Sequence, residues 1–154
     1  MPGEERIRAR EDHDLDACVR ILRGVHRRHG YPVNWPDDPI GWLRGTSDSA
    51  WVATVDGACV GHVAIAVDAG VALVERLFAD PAHAGLGIGR QLLRHAAAQG
   101  RDLTGDVMLD VVAADDAANG LYRAEGWSEV SRTPISWGAT PTSMLVRFRA
   151  PDGQ

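Results

Sequence analysis

One stretch of the sequence decides the fold: Leu77-Phe78-Ala79-Asp80-Pro81-Ala82-His83-Ala84-Gly85-Leu86-Gly87-Ile88-Gly89-Arg90. A predicted strand ends at Phe78, three glycines follow at alternate positions, and helical spacing of apolar residues begins at Ile88. Glycine lets the backbone approach an anion closely, and the first N–H groups of a helix have no acceptor within that helix. The stretch therefore predicts a strand, a turn that can hold a diphosphate, and a helix.

Two well-known phosphate-binding patterns do not fit this turn. The dinucleotide pattern G-x-G-x-x-G, started at Gly85, would place its third glycine at Arg90. The ATP-type loop needs a lysine, and all 16 basic residues of the chain are arginine. The remaining pattern, G-x-G-x-G after a strand, is also compatible with a tight turn that binds nothing.

Upstream of this stretch, hydrophobic spacing and turn residues predict a hairpin preceded by a strand and a helix. The helix places Cys18 on its buried face, where it serves as a small core residue. Asp56-Gly57 is a typical tight hairpin turn. The predicted strands are residues 7–10, 50–55, 59–67 and 71–78, and the predicted helices are residues 15–25 and, as one turn, 40–44.

Downstream, the helix that begins at Ile88 is expected to stop at Gly100, and a short helix is expected to close at Gly126. The other predicted elements are a strand at 107–112, a helix at 115–124, and strands at 128–137 and 143–149. The order βα(α)βββαβαββ predicts the α+β class, with mixed helices and strands and a mostly antiparallel sheet.

The composition restricts the classes of function. A chain of 154 residues with 45% apolar residues is expected to form one domain, residues 1–150, with a short tail at 151–154. The net charge of −5 argues against a nucleic-acid-binding protein, which needs a concentrated basic face. Cys18 and Cys59 form no CxxC pattern and the histidines show no ligand spacing, so neither a disulfide framework nor a metal is expected.

The chain is expected to be a soluble, cytoplasmic protein without membrane contact. Its first residues carry many charges and no apolar segment of the kind found in secretory signals. Its longest apolar run, near residues 60–67, is far shorter than the roughly 20 residues that cross a bilayer.

Two motifs resemble those of the GNAT family of N-acetyltransferases. The pyrophosphate motif [QR]-x-x-G-x-[GA] is matched from Ala84 to Gly89 in all but its first position. A short helix that ends in L-Y-x-x-x-G-[FW] is matched by Ala118-Asn119-Gly120-Leu121-Tyr122-Arg123-Ala124-Glu125-Gly126-Trp127. One helix and one strand separate the two motifs, as in the family, and the resemblance covers nearly the whole chain.

The resemblance implies a twisted, mostly antiparallel sheet with a central pair of parallel strands that splay apart, flanked by about four helices. It implies acetyl-CoA as co-substrate and no metal. The cofactor would lie between the strands around residues 77 and 109, and an N–H near Phe78 or Ala79 would face the acyl oxygen. The implied cofactor-binding residues are Leu77, Phe78, Ala79, Ala84, Gly85, Leu86, Gly87, Ile88, Gly89, Arg90, Asn119 and Tyr122.

The sequence departs from the family pattern at two positions. Ala84 replaces the usual Gln or Arg, which removes one side chain from the diphosphate site. Asp115 stands near the position where an Asn is expected, so a contact to the cofactor arm is weakened or changed. Arg90 either compensates for Ala84 or only lies on a solvent-exposed face.

The resemblance also implies catalytic roles. Tyr122 matches the family's tyrosine near the thiol and would protonate the departing thiolate, unless it is only a core residue. Glu75 would act as a base through water, unless it only pairs with a neighbouring arginine. His62 and His83 are alternative bases. Because neither cysteine has a nearby base, we expect direct transfer of the acetyl group within a ternary complex.

The acceptor amine would lie between the loop at 31–42 and the closing hairpin at 137–142. Trp35, Trp42 and Trp137 would stack on it or simply pack, and Asp37 and Asp38 would attract a cation. A small-molecule amine and a protein or peptide amine both fit, and an acyl-CoA-binding sensor without catalysis is a further alternative. A homodimer is compatible with the sequence.

Overall fold

The computed structural model describes residues 5–45 and 47–153, and it contains four α-helices and seven strands within these ranges. The helices are α1 (Leu15–His29), α2 (Pro39–Arg44), α3 (Ile88–Leu103) and α4 (Asp116–Ala124). The strands are β1 (Glu5–Ala9), β2 (Ser49–Val55), β3 (Ala58–Asp68), β4 (Val71–Ala79), β5 (Val107–Val112), β6 (Ser128–Pro134) and β7 (Met144–Arg149).

All seven strands form one sheet in the order β1-β2-β3-β4-β5-β7-β6. β4 and β5 run parallel, and every other neighbouring pair in the described ranges is antiparallel. A parallel pair needs a crossover, and α3 supplies it between β4 and β5. The predicted fold class, including its single parallel pair and its four helices, is confirmed.

The apolar core lies on both faces of the sheet. On one face, α1 and α2 pack on β2 and β4 through Leu22, Leu43, Val52 and Phe78. Cys18 belongs to this cluster and is fully buried, as the helical spacing predicts. On the other face, α3 and α4 pack on the central strands through a larger cluster that includes Leu92, Leu93, Leu109, Tyr122 and Phe148.

Two tight turns shape the hairpins on either side of β3. Asp56 and Gly57 have φ angles of 51° and 83°, and Ala69 and Gly70 have φ angles of 50° and 78°. Two successive residues in the left-handed region match the right-handed twist of the flanking strands. The Asp56-Gly57 hairpin that the sequence predicts is therefore present.

Several predicted boundaries were wrong. Gly100 does not end α3, which continues to Leu103. A Cβ on Gly100 would lie 2.8 Å from Cγ2 of Val107, so this glycine instead lets the helix approach the sheet. α1 continues to His29 and ends at Gly30 in the left-handed conformation. β6 ends at Pro134, three residues before the predicted end.

No helix in the described part of the chain is both long enough and apolar enough to cross a membrane.

Candidate active site

The parallel strands β4 and β5 pair over only part of their length. The register joins Ala72 to Val107 and ends with Val74 opposite Leu109. β4 nevertheless continues to Ala79 alongside β3, and β5 continues to Val112 alongside β7. The second half of β4 therefore has an edge that faces β5 without pairing to it, and strand edges of this kind hydrogen-bond to extended ligands.

The turn after β4 leads directly to the N-terminus of α3. Gly85 and Gly87 have φ angles of 88° and 73°, which favour glycine, and Gly87 is the N-cap residue. No side chain caps the helix and its first turn has no acidic residue. Gln91 donates to the Gly87 carbonyl at 3.0 Å, so the N–H groups before Gln91 have no acceptor within the helix. These N–H groups and the helix dipole favour an anion.

Arg90 adds a cation to this turn. Its side chain folds back over the N-cap, because a Cβ built on Gly87 would lie 2.8 Å from Nη2 of Arg90. Arg90 is exposed and makes no ion pair with residues 5–45 or 47–153. Ala84 is also exposed and brings no polar side chain to the turn. The position of Arg90 favours compensation for Ala84 over a role on a plain solvent face.

These features fit acetyl-CoA. The start of α3 offers unpaired N–H groups, an arginine and a first turn without acidic residues to a diphosphate, while the free edge of β4 offers backbone groups to an extended amide-containing arm. Of the other predicted contacts along β4, Leu77 and Ala79 are half-buried and Phe78 is buried. Gly89 lies beside α4, since its Cβ would be 3.9 Å from Cδ2 of Leu121. The start of α3 therefore lies next to α4. We call the opening between the unpaired parts of β4 and β5 the gap.

Tyr122 lies on α4 next to Leu121 and is 8% exposed. Its ring packs against Trp127 and Phe148, with ring centroids 6.2 Å and 5.7 Å away. Its hydroxyl makes no hydrogen bond to the described residues. Burial, and secondarily Asp115, raises the pKa of Tyr122. The hydroxyl therefore keeps its proton at neutral pH.

Asp115 and Asn119 organise the start of α4. The Asp115 side chain caps the helix by accepting from the Ala118 N–H at 3.1 Å. Nδ2 of Asn119 donates to the Asp115 carbonyl at 2.7 Å and to the Val112 carbonyl at 3.2 Å. Both side chains thus hold α4 against the end of β5. Cofactor binding by Asn119 stays a prediction.

Glu75 lies on β4, on the face covered by α1 and α2, and is already paired. Its Oε1 accepts from the Ser47 hydroxyl at 2.7 Å and from Nη1 of Arg76 at 2.6 Å. Arg76 is in turn fixed by its Nε, which donates to the Trp42 carbonyl at 2.6 Å, and by its stacking over the Trp42 ring at 4.6 Å. The carboxylate therefore has a defined position, with Oε2 free of hydrogen bonds within the described ranges.

The two histidines considered as bases differ in their surroundings. His62 is fully buried, and its Nδ1 and Nε2 lie 2.9 Å from the Arg76 carbonyl and 3.1 Å from Nη1 of Arg10. Burial lowers the pKa of His62 to about 4. A base with both nitrogens occupied and no solvent contact has no route to an amine. His83 lies in the turn before the glycines, with Nδ1 3.5 Å from the Asp80 carboxylate.

The predicted acceptor region gathers aromatic residues from three places. Trp42 lies between Arg76 and the edge of the Tyr31 ring, whose centroid is 6.2 Å away. Trp35 packs against α1, with Arg23 over its ring at 4.9 Å, and so does not line a pocket by itself. Trp137 is 48% exposed, and its carbonyl accepts from Nδ2 of Asn34 at 3.3 Å. This bond joins the two loops that the sequence predicts around the acceptor.

The acidic pair on the same loop has a structural role at one position. Asp38 caps α2 by accepting from the Gly41 N–H at 3.1 Å, whereas Asp37 is exposed.

Elsewhere in the described ranges, Glu11, His13 and Asp14 bring possible metal ligands within 4.8 Å of one another. Asp14 is engaged by Arg8 through two bonds of 2.8 Å, and the group lies outside the gap described above.

Comparison with known proteins agrees with this geometry. A sequence profile of the acetyltransferase (GNAT) family matches residues 14–127. The chain belongs to this family. It is accordingly an acetyl-CoA-dependent acetyltransferase, and the resemblance drawn from its motifs is confirmed. A comparison with curated protein sequences gives no match.

Solved structures share the fold over almost the whole chain. The ribosomal-protein-S18-alanine N-acetyltransferase from Escherichia coli has a TM-score of 0.76 at 22% identity, covering 98% of this chain and 96% of its own. Ard1 from Thermoplasma volcanium has a TM-score of 0.78 at 18% identity, covering 96% and 99%. The acetyltransferase yncA from Salmonella typhimurium, solved with acetyl-CoA, has a TM-score of 0.69 at 18% identity, covering 94% and 92%. At these identities the likeness shows the fold alone.

Sequence reasoning missed two residues of the site, Ser47 and Arg76, which hold the Glu75 carboxylate. Tyr31 belongs to the predicted acceptor loop, and burial, followed by Tyr122, raises its pKa. Arg76 could have been noticed as the charged neighbour of Glu75. Ser47 carried no signal, because only the folded chain brings it to β4.

Proposed function

We propose that this acetyltransferase moves the acetyl group of acetyl-CoA directly to a primary amine while both substrates are bound. One observation supports the proposal: the uncapped glycine turn leads from the unpaired end of β4 into α3, and Gly89 of α3 lies beside Leu121, the neighbour of Tyr122 on α4. An anion site, a free strand edge and a protonated hydroxyl are then available along one path.

The glycine turn and Arg90 are proposed to bind the diphosphate, and the free edge of β4 to bind the arm that carries the thioester. When bound, acetyl-CoA supplies an activated acyl group. Of the two predicted donors, Phe78 lies in register with His62 of β3 and Ala79 lies at the alternate position. The N–H of Ala79 would therefore donate to the acyl oxygen, and a donor held in place there stabilises the negative charge that develops during attack.

Tyr122 is proposed as the general acid. Its raised pKa keeps the hydroxyl protonated, and its packing between Trp127 and Phe148 holds the ring in one position. A thiolate leaves more readily when it receives a proton as it departs.

Glu75 is proposed as the base that accepts a proton from the amine through water. Ser47 and Arg76 fix its position, and the free Oε2 is the atom that would accept the proton. Attack requires a neutral amine, so the carboxylate that takes the proton must lie on the acceptor side and not beside the cofactor. His62 is not assigned this role, because both of its nitrogens are engaged.

Direct transfer is supported by the surroundings of the cysteines. Cys18 is fully buried, and its Sγ lies 3.8 Å from Sγ of Cys59. The hydrogen bond to Cys59 and burial raise the pKa of Cys18. A thiol of this kind is a poor nucleophile, which argues against Cys18 as the carrier of an acetyl group.

The acceptor is proposed to be a small-molecule or peptide amine that enters beside Tyr31 and Trp42. The bond between Asn34 and the Trp137 carbonyl partly closes this side, which favours a small amine or the end of a flexible peptide over an internal residue of a folded protein. The E. coli neighbour acts on an alanine of a ribosomal protein according to its name, which keeps peptide amines in the test.

A binding module without catalysis is the second candidate. It is favoured by Ala84, which leaves the turn without its usual side chain, and by Glu75, whose Oε1 is already occupied by two donors. Such a protein would bind acetyl-CoA and transfer nothing.

The test measures release of free CoA thiol from acetyl-CoA with small primary amines, lysine derivatives and peptides with free N-termini. We expect release with at least one class, and initial rates at varied concentrations of both substrates that give intersecting double-reciprocal lines. Parallel lines would contradict direct transfer. Binding of acetyl-CoA by calorimetry without release in any class would support the second candidate, and absence of binding would contradict both.

A further inference from the structure

A β-bulge interrupts β4 between the cofactor turn and Glu75. Ala64 of β3 lies opposite Glu75, whereas His62, two residues earlier, lies opposite Phe78. The intervening Arg76 and Leu77 therefore face one residue of β3. Arg76 has a φ of 51°, a strained value for a residue with a long side chain. A strained residue of this kind persists only where its surroundings hold it in place.

His62, on the neighbouring strand β3, holds the strained backbone of Arg76 in place. Its Nδ1 lies 2.9 Å from the Arg76 carbonyl, which can only accept, so Nδ1 carries the hydrogen. Its Nε2 lies 3.1 Å from Nη1 of Arg10, which can only donate, so Nε2 carries the lone pair. The ring also stacks on Phe78, with centroids 5.1 Å apart and planes 13° apart. These contacts specify one neutral tautomer and one ring position.

Further hydrogen bonds connect the bulge to α2. Nη1 of Arg10 also donates to the Leu43 carbonyl at 2.9 Å, near the C-terminus of that helix. The Arg76 side chain returns to the same helix through the Trp42 carbonyl. The backbone and the side chain of Arg76 are thus fixed by two separate connections to α2, and the bulge cannot relax without breaking one of them.

We propose that His62 is a positioning residue for acetyl transfer: by donating to the Arg76 carbonyl, it fixes the β4 bulge and so the placement of Glu75 and the Ala79 N–H. The inference rests on the proposed function of that site. Both groups lie within three residues of the bulged carbonyl on the same strand. The diphosphate turn lies beyond the end of β4, so His62 should affect turnover far more than cofactor affinity.

Three substitutions separate the contacts of His62. Asn carries an amide N–H where Nδ1 stands, Leu has nearly the same shape without a donor, and Gln reaches Arg10 but not the Arg76 carbonyl. We expect His62→Asn to retain kcat within about threefold, and His62→Leu and His62→Gln to lose about tenfold or more. The Kd for acetyl-CoA should stay within about threefold in all three. A purely structural role would instead make turnover follow the thermal midpoint.

Equal kcat for His62→Asn and His62→Leu at similar thermal midpoints would overturn the inference, whereas absence of CoA release by the unmodified chain would overturn the proposed function. A measurement that needs no variant covers the case in which His62→Leu fails to fold. Long-range ¹H–¹⁵N NMR of the ring should show the hydrogen on Nδ1. A hydrogen on Nε2 would leave the Arg76 carbonyl without this donor and would equally overturn the inference.

Discussion

The glycine turn and the β4 bulge lie on one strand-turn-helix segment, yet different kinds of chemical groups form them. The turn presents backbone N–H groups and needs only local residues, with Gly85 and Gly87 in conformations that favour glycine. The bulge is held by groups from distant parts of the chain: the Trp42 carbonyl and ring on α2, the His62 side chain on β3, and the side chain of Arg10, which follows β1. Backbone groups do not titrate and side chains do. The two regions should therefore respond differently to substitution and to pH.

The largest effect is expected at the turn. Gly87→Glu should weaken acetyl-CoA binding by about a thousandfold or more, because a carboxylate would occupy the anion site and the residue would be held at a φ of 73°. Isothermal titration calorimetry measures this. Gly70→Glu is the matched control: it has a φ of 78°, lies in the turn at the opposite end of β4, and has open space around it. Comparable losses of affinity in both variants would contradict the anion site.

The second prediction concerns acid and tests the bulge. The pKa of His62 is lowered to about 4 in the folded protein by burial, reinforced by the charges of Arg10 and Arg76 and opposed by the hydrogen bond to the Arg76 carbonyl and by Asp14. Its ordinary value is about 6.5, so the unfolded chain binds the proton first as pH falls. The stability that this residue contributes is present above pH 6.5 and is lost as pH falls toward 4, by about 3 kcal/mol.

Urea unfolding at a series of pH values measures this loss. His62→Asn is the control: it cannot titrate and should reduce the pH dependence of the free energy of unfolding across this window, while His95, whose pKa burial also lowers, contributes equally in both proteins. The hydrogen bonds from Arg8 lower the pKa of Asp14. The stability that Asp14 contributes is therefore lost only below its ordinary pKa near 4, which is outside the pH window in which His62 titrates. Parallel curves for the two proteins would mean that His62 is not buried as a neutral ring.

The third prediction tests Tyr122, which lies between the two regions. Tyr122→Phe keeps the ring packing and removes the proton, so kcat should fall by about a hundredfold while the Kd for acetyl-CoA stays within a few fold. The thermal midpoint is measured on the same preparation, because a lost rate with an unchanged midpoint cannot come from unfolding. An active and stable variant would leave water as the donor and would not affect the cofactor site.

The smallest effect is a gain at the turn. Ala84→Arg should tighten acetyl-CoA binding by about tenfold, since it adds a charge-assisted contact beside the diphosphate. Ala82→Arg adds the same charge at an exposed position two residues earlier and should change the Kd by less than about threefold. If neither variant gains affinity, Arg90 already provides the contact that Ala84 lacks.

The outcome of the sequence predictions follows the same division. The glycine turn and the Asp56-Gly57 hairpin were predicted correctly, since each depends on residues adjacent in the chain, and the single parallel strand pair was predicted correctly from the family resemblance. Gly100 was misread as a helix stop because its reason is tertiary: it makes room for Val107 and Ala72 against α3. The end of β6 was misplaced for a related reason, because nothing local distinguishes a strand from the extended loop after Pro134.

The sequence by itself determined the fold class, the family and the place where an anion can bind, because glycine spacing and hydrophobic periodicity act on the local backbone. Only the tertiary structure decided that His62 is a buried bond partner of the β4 bulge and that Ser47, Arg76 and Tyr31 stand beside Glu75 and Tyr122. Those contacts join residues far apart in the chain, and the direction of a side chain is set by the packing of the elements that carry it. The proposed acceptor side of the site therefore depends on packing, while the proposed cofactor side depends on local sequence.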